Sequence, residues 1–196
     1  MFRFFKTAIF LVVLLTSGIA KAETFVFSDL GLAIDTPDGW AVLSASAGAE
    51  FLDGTNVTQD LKNMARDASN TQILSVIREN PAIGVSPGIH IHYWPGRVSR
   101  ISDEMQNVIE NLLQNVPNFV LIEDTTPDNL GAFDAAYISY RYEIISQGTP
   151  LQVVEKFWLV PMGDHYLTIS TGVELDEGTA ARLAIERSVH TLRRFP

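Results

Sequence analysis

His90-Ile91-His92 is where residue type and spacing come nearest to chemistry in this chain. In an extended strand, side chains two apart share a face, so the two imidazoles stand about 7 Å apart at Cα and could hold one divalent cation. Zinc sites take three or four ligands, and His165 or an acidic side chain is the candidate third. The plainer alternative is a solvent-facing alternation, with Ile89, Ile91 and Tyr93 forming the apolar opposite face. Trp94-Pro95-Gly96 closes the same segment, which makes Trp94 a candidate partner-binding tip. Trp40 and Trp158, with Tyr93 and Tyr142, could line a ligand groove, but aromatic residues in strands usually pack a sheet face.

No catalytic residue emerges from the motifs. The chain has no G-x-S-x-G elbow, no S-x-x-K and no H-E-x-x-H, so no activated nucleophile or zinc-protease helix is encoded. Glycine patterns that cradle phosphates are absent too, and no cofactor is implied. Glu123-Asp124 and Asp128 flank Thr125-Thr126-Pro127, which reads as a turn carrying solvated acids. The expectation is a non-enzymatic protein. A divalent-metal-binding accessory protein using His90 and His92, and a small hydrolase with an unrecognised site, are the alternatives.

There are no cysteines. That excludes disulfides, thiolate metal sites, a cysteine nucleophile and a lipidated N-terminal cysteine. The first residues have the three parts of a secretory signal: Arg3 and Lys6, an apolar run from Ala8 to Leu15, and Ala20-Lys21-Ala22 as an A-x-A site. Counted generously, Ala8 to Ala20 gives thirteen residues, short of the ~20 a spanning helix needs. Residues 1–22 are therefore expected to be cleaved between Ala22 and Glu23, leaving a periplasmic or secreted product with no stable membrane anchor. The remaining 174 residues suit one domain and carry 11 basic and 23 acidic side chains, a formal charge of −12. Such a surface repels phosphate backbones, so nucleic acid is a poor partner. A protein or cell-envelope component is the expected one.

The elements that must hold these residues are strands and three helices. Short strands at Phe25–Phe27, Leu32–Asp35 and Trp40–Leu43 surround a Pro37-Asp38-Gly39 turn. Ser44 to Gly54 reads as a loop, and a helix runs from Asn56 to Ala68. Ile73–Glu79, ending at Asn80-Pro81, and Gly88–Trp94 are strands closed by breakers. Met105, Val108, Ile109, Leu112, Leu113 and Val116 keep helical spacing, with Ser102 as the expected N-cap and Pro117 as the stop. Phe119–Asp124, Ala135–Ile145, Leu151–Val160 and Tyr166–Val173 follow as strands without helices between them, which implies antiparallel pairing. A last helix is expected over Glu177–Arg193, its end favoured by Arg193 and Arg194. The order predicts an α+β fold: one antiparallel β-sheet flanked by helices.

Phe27 to Trp40, a strand leading through Gly31 into Pro37-Asp38-Gly39-Trp40, is similar to the opening of the Mog1/PsbP-like superfamily. The helix between strand pairs, the long hairpins after Gly131, the Tyr166–Ser170 strand and the final helix with its basic-aromatic tail match that family's order. The resemblance covers nearly all of residues 23–196 and includes bacterial exported proteins of unknown function. It implies an α/β/α sandwich and a binding or accessory role, and it supplies no catalytic residue.

Overall fold

The structure, a computed structural model, describes residues 23–43, 56–78, 85–146, 148–176 and 179–196. The expected signal segment, the Ser44–Gly54 loop, Asn80-Pro81 and the expected start of the last helix at Glu177 lie outside the described residues. Among the described residues the strands are β1 (Thr24–Phe27), β2 (Leu32–Asp35), β3 (Trp40–Val42), β4 (Gln72–Arg78), β5 (Gly88–Pro95), β6 (Val120–Leu130), β7 (Phe133–Ser146), β8 (Thr149–Pro161), β9 (His165–Glu174) and β10 (Arg193–Arg194). The helices are α1 (Gln59–Ser69), α2 (Ile101–Asn115) and α3 (Thr179–Val189).

Seven strands form one sheet in the order β3-β4-β5-β9-β8-β7-β6, and every pairing is antiparallel. A small sheet, β1-β2-β10, is also antiparallel. The fold is α+β, as the run of helix-free strands requires. Both faces of the large sheet are covered. On one, Val76, Ile89, Ile91, Trp158, Leu167 and Ile169 pack with Leu32 and Ile34 of β2 and with Ile185 and Val189 of α3. On the other, Ile138, Tyr140 and Leu159 meet Met105 and Ile109 of α2. Fully burying a side chain of this size contributes roughly 1.5–3 kcal/mol, so the larger cluster under α3 dominates the core.

Three sequence expectations are corrected. Residues 125–127 form no turn: β6 runs through them, with register irregularities between Leu121 and Thr126. Proline is tolerated there because β6 is an edge strand, where one side needs no N–H donor. The last helix stops at Val189 rather than Arg193, and the chain doubles back so that Arg193 and Arg194 pair with Ala33 and Leu32. There the Arg193 guanidinium grips both carboxylate oxygens of Asp35, at 2.8 and 3.0 Å. Finally, α2 is entered from an extended Arg100 with no side-chain cap, and the Ser102 hydroxyl turns to Asp103 instead.

Gly131 opens the β6–β7 hairpin at φ +60°, a left-handed conformation that favours glycine. A Cβ there would lie 1.9 Å from the carbonyl oxygen of Leu192. The hairpin tip and the returning tail therefore touch backbone to backbone.

Candidate functional site

The alternation of β5 places His90, His92 and Trp94 on the face under α2, while Ile89 and Ile91 point to the α3 side and are fully buried. His90 is not solvent-facing. Its Nδ1 lies 2.8 Å from the hydroxyl of Ser75, its partner across the ladder to β4. Its Nε2 lies 3.1 Å from where a Cβ on Gly88 would stand, so the ring folds over a glycine that leaves it room. Burial, then the neighbouring His92, pulls the His90 pKa down to about 4. His92 Nδ1 is 3.0 Å from the Ala68 carbonyl at the end of α1. A carbonyl only accepts, so this nitrogen carries the proton and Nε2 is left as acceptor. Burial lowers the His92 pKa, and the Ala68 bond pushes back.

His165 does not join them. It starts β9 opposite Pro95, lies tilted against Tyr93 at 5.1 Å between ring centroids, and bonds Asp164 at 2.7 Å. Tyr93 faces away from His90 and His92, so the expected third ligand stands on the wrong side of the sheet. Among the described residues, no group of three or more His, Asp or Glu side chains is placed to hold a metal ion. Trp94 is half-buried. Its indole N–H donates to the Thr168 hydroxyl at 3.0 Å, and its ring stacks between His92 and Tyr166, at 6.3 and 6.4 Å. It is a rung of an aromatic ladder across β5 and β9.

A half-buried acid on the same face is absent from the motifs. Glu155 pairs with Tyr140 on one side and Gly172 on the other. The hydroxyls of Tyr140 and Tyr142 donate to its carboxyl, yet burial outweighs them and raises its pKa to about 7. Both phenols are pushed well up, first by burial and then by the Glu155 charge. The sequence carried a signal for this: Leu151, Val153, Glu155, Phe157 and Leu159 put an acid at an inward position of a clean alternation.

An open, ligand-sized feature lies on the other face. Beside α3, over the β6–β9 half of the sheet, lies a groove of about 340 Å3. Ser139, Lys156 and Thr171, consecutive ladder partners, belong to its floor. Val154, Val173 and Ile185 form aliphatic walls, and Ile122 and Leu175 reach its edge while staying 52% and 38% exposed. Lys156 Nζ pairs with Glu186 at 2.7 Å and lies 4.5 Å over the Tyr137 ring. Burial pulls the Lys156 pKa down, but Glu186, then Tyr137 and Glu123, more than offset it and hold it above the usual value. Arg182 donates through Nη2 to the Leu175 carbonyl at 2.8 Å. Its Nε is buried and has no hydrogen-bond partner among the described residues. Nothing in the motifs marks Lys156 or Arg182. Only the placement of α3 over β8 brings them together.

No protein-family model matches this sequence, and no curated protein matches it either. Solved structures do resemble it in shape. One is LpqN, described as involved in cell envelope biogenesis of Mycobacterium tuberculosis, at TM-score 0.53 and 16% identity over 90% of this chain and 91% of that one. Another is the cyanobacterial PsbP, CyanoP, of Synechocystis sp. PCC 6803, at TM-score 0.55 and 9% identity over 91% and 95%. A Mog1 variant (E65A) aligns at TM-score 0.50 and 12% identity over 89% and 96%. Of a longer chain from Bacteroides thetaiotaomicron VPI-5482, similar at TM-score 0.52 and 12% identity, the alignment spans only 49%. At such identities the likeness concerns the fold alone.

Proposed function

Starting from the Mog1/PsbP-like fold this chain adopts, we propose that it is an exported, non-enzymatic accessory protein that binds a protein or another component of the cell envelope. One observation carries the reading: a groove of about 340 Å3 whose edge residues Ile122 and Leu175 stay exposed although large and apolar. The volume falls within the ~300–1,000 Å3 of ordinary ligand sites, and exposed apolar edges mark surfaces that are covered by something else. The groove holds two hydroxyls, the Arg182 guanidinium and an amine neutralised by Glu186. That set suits holding a ligand rather than activating one. Export is supported by the segment ending in Ala20-Lys21-Ala22, and an envelope setting by what is said of LpqN.

A photo-crosslinking residue at Ile122 in living cells tests both parts. A discrete envelope adduct is expected, on a protein whose N-terminus is Glu23 by mass spectrometry. The same residue at half-buried Trp94 should give none. If Ile122 yields no adduct, or the chain keeps residues 1–22 in the cytoplasm, the reading falls.

A further inference from the structure

We propose that the groove beside α3 binds an aliphatic monocarboxylate, an acyl chain ending in a single anionic head, with Arg182 as the residue that recognises the carboxylate. The inference rests on that groove being the working site and names its ligand.

Three observations point to this chemistry. The first is the guanidinium. Arg182 lines the groove, and its Nη2 is committed to the Leu175 carbonyl, whereas its Nε is buried with no acceptor among the described residues. A buried donor left unmade is costly, and a carboxylate oxygen is the acceptor that best suits a guanidinium edge. The second is charge. Lys156 is already matched by Glu186, with Glu123 contributing, whereas no carboxylate among the described residues pairs with Arg182. A single negative head completes that pair; a phosphate dianion would bring a second charge beside Glu186 and Glu123. The third is the wall. Val154, Val173, Ile185 and Leu175 are aliphatic and offer no ring on which a base or sugar could stack. A flexible hydrocarbon fits such a surface. A peptide would bring backbone groups that need partners, yet the Thr171 hydroxyl already donates to the Lys156 carbonyl.

The test is calorimetric titration of the exported chain with dodecanoate, dodecanol and dodecyl phosphate, each below its micelle threshold. Saturable one-to-one binding of dodecanoate is expected, about tenfold or more tighter than dodecanol, the factor of one charge-assisted hydrogen bond. Dodecyl phosphate should not bind more tightly than dodecanoate. Arg182→Gln should bring dodecanoate to the dodecanol level, with Arg182→Lys recovering part of the difference. Val154→Trp, which fills the groove while leaving Arg182 in the chain, should abolish binding of both ligands; it serves equally if the arginine variants do not fold. Equal affinity for acid and alcohol, or unchanged binding by Arg182→Gln or Val154→Trp, overturns the proposal. So does self-association of the chain that Ile122→Glu abolishes, which would give the groove to a second copy. If dodecanoate fails while the Ile122 crosslink to an envelope component persists, the carboxylate assignment falls and the binding role stands. If neither is seen, both fall.

Discussion

His90 and Glu155 lie on the same face of the sheet and are each held near neutrality by burial, but they respond to pH in opposite directions. His90 has its folded pKa lowered from 6.5 to about 4. Between those values the unfolded chain takes up a proton that the folded one refuses, so stability falls as pH drops through that window. Glu155 has its folded pKa raised from 4.5 to about 7. There the folded chain keeps a proton that the unfolded one has released, so stability falls as pH rises. Each effect is at most on the order of 3 kcal/mol across its window. From pH 4.5 to 6.5 the two nearly cancel, and the wild-type profile should be flat on their account. Urea melts should unmask the slopes. Glu155→Gln should be destabilised progressively toward pH 4.5 relative to its own value at pH 7, and His90→Gln should weaken toward pH 7. Parallel profiles for both variants and the wild type would show that neither group is buried as described. The sequence placed His90 and His92 on one face. It could not show that the face is covered, because the covering contacts come from Ser75 and Ala68, fifteen and twenty-four residues away.

Among the elements, α2 and β7 were legible because each carries an uninterrupted period: Met105 and Ile109 lie buried on the helix, and Ile138, Tyr140 and Ile144 on the strand. Where local chemistry and position in the sheet disagree, position prevails. Pro127 reads as a breaker yet sits within β6, because an edge strand has a side without ladder bonds. Arg193 suits a helix end by charge, but Asp35 offers it a two-pronged partner on β2. That pairing, followed by the Thr24 hydroxyl bond, holds the Asp35 pKa below its usual 3.8, so its stabilisation is present above about pH 4 and is lost as pH falls through the lowered value. The contact of Gly131 with Leu192 gives the sharper test. Gly131→Ala must strain a left-handed residue and push the tail carbonyl aside, and should cost about 3 kcal/mol or more. Hydrogen exchange of the Arg193 and Arg194 amides should speed up in the same variant. An unchanged melt would mean the tail does not rest on the hairpin.

At the scale of the whole molecule, the order of helices and helix-free strands was enough to predict an α+β fold with an antiparallel sheet. It did not give the strand order, and the groove depends on that order. β8 and β9 are neighbours in sequence and in space, but α3 crosses only part of the surface they share, leaving the floor at Ser139, Lys156 and Thr171 open toward Ile122. Such a vacancy follows from where a helix comes to rest, and no residue pattern records it. The two faces thus divide the labour: the polar side chains of β5 are spent on Ser75 of β4, Thr168 of β9 and the backbone of α1, while the opposite face keeps a cation with an unmet donor.

The position of β9 between β5 and β8 also sets an order of assembly. β3, β4 and β5 make one meander, β6 to β9 make a second, and a single seam joins them, pairing residues 88–95 with 165–172. The second meander closes over short turns and β3 reaches β4 across residues 43–71, which include α1, whereas the seam must close over some seventy residues at its nearest pair. Pairings that distant form late and set the pace of folding. Truncating Ile138, packed within the second meander before the seam closes, to Val should therefore slow refolding more than it speeds unfolding, and the same change at Ile169, a fully buried seam residue, should do the reverse in stopped-flow chevrons. A sheet built this way has halves that are ready before the whole. Until the seam seals, His90, His92 and Trp94 stand along an unpaired edge, and the chain remains open.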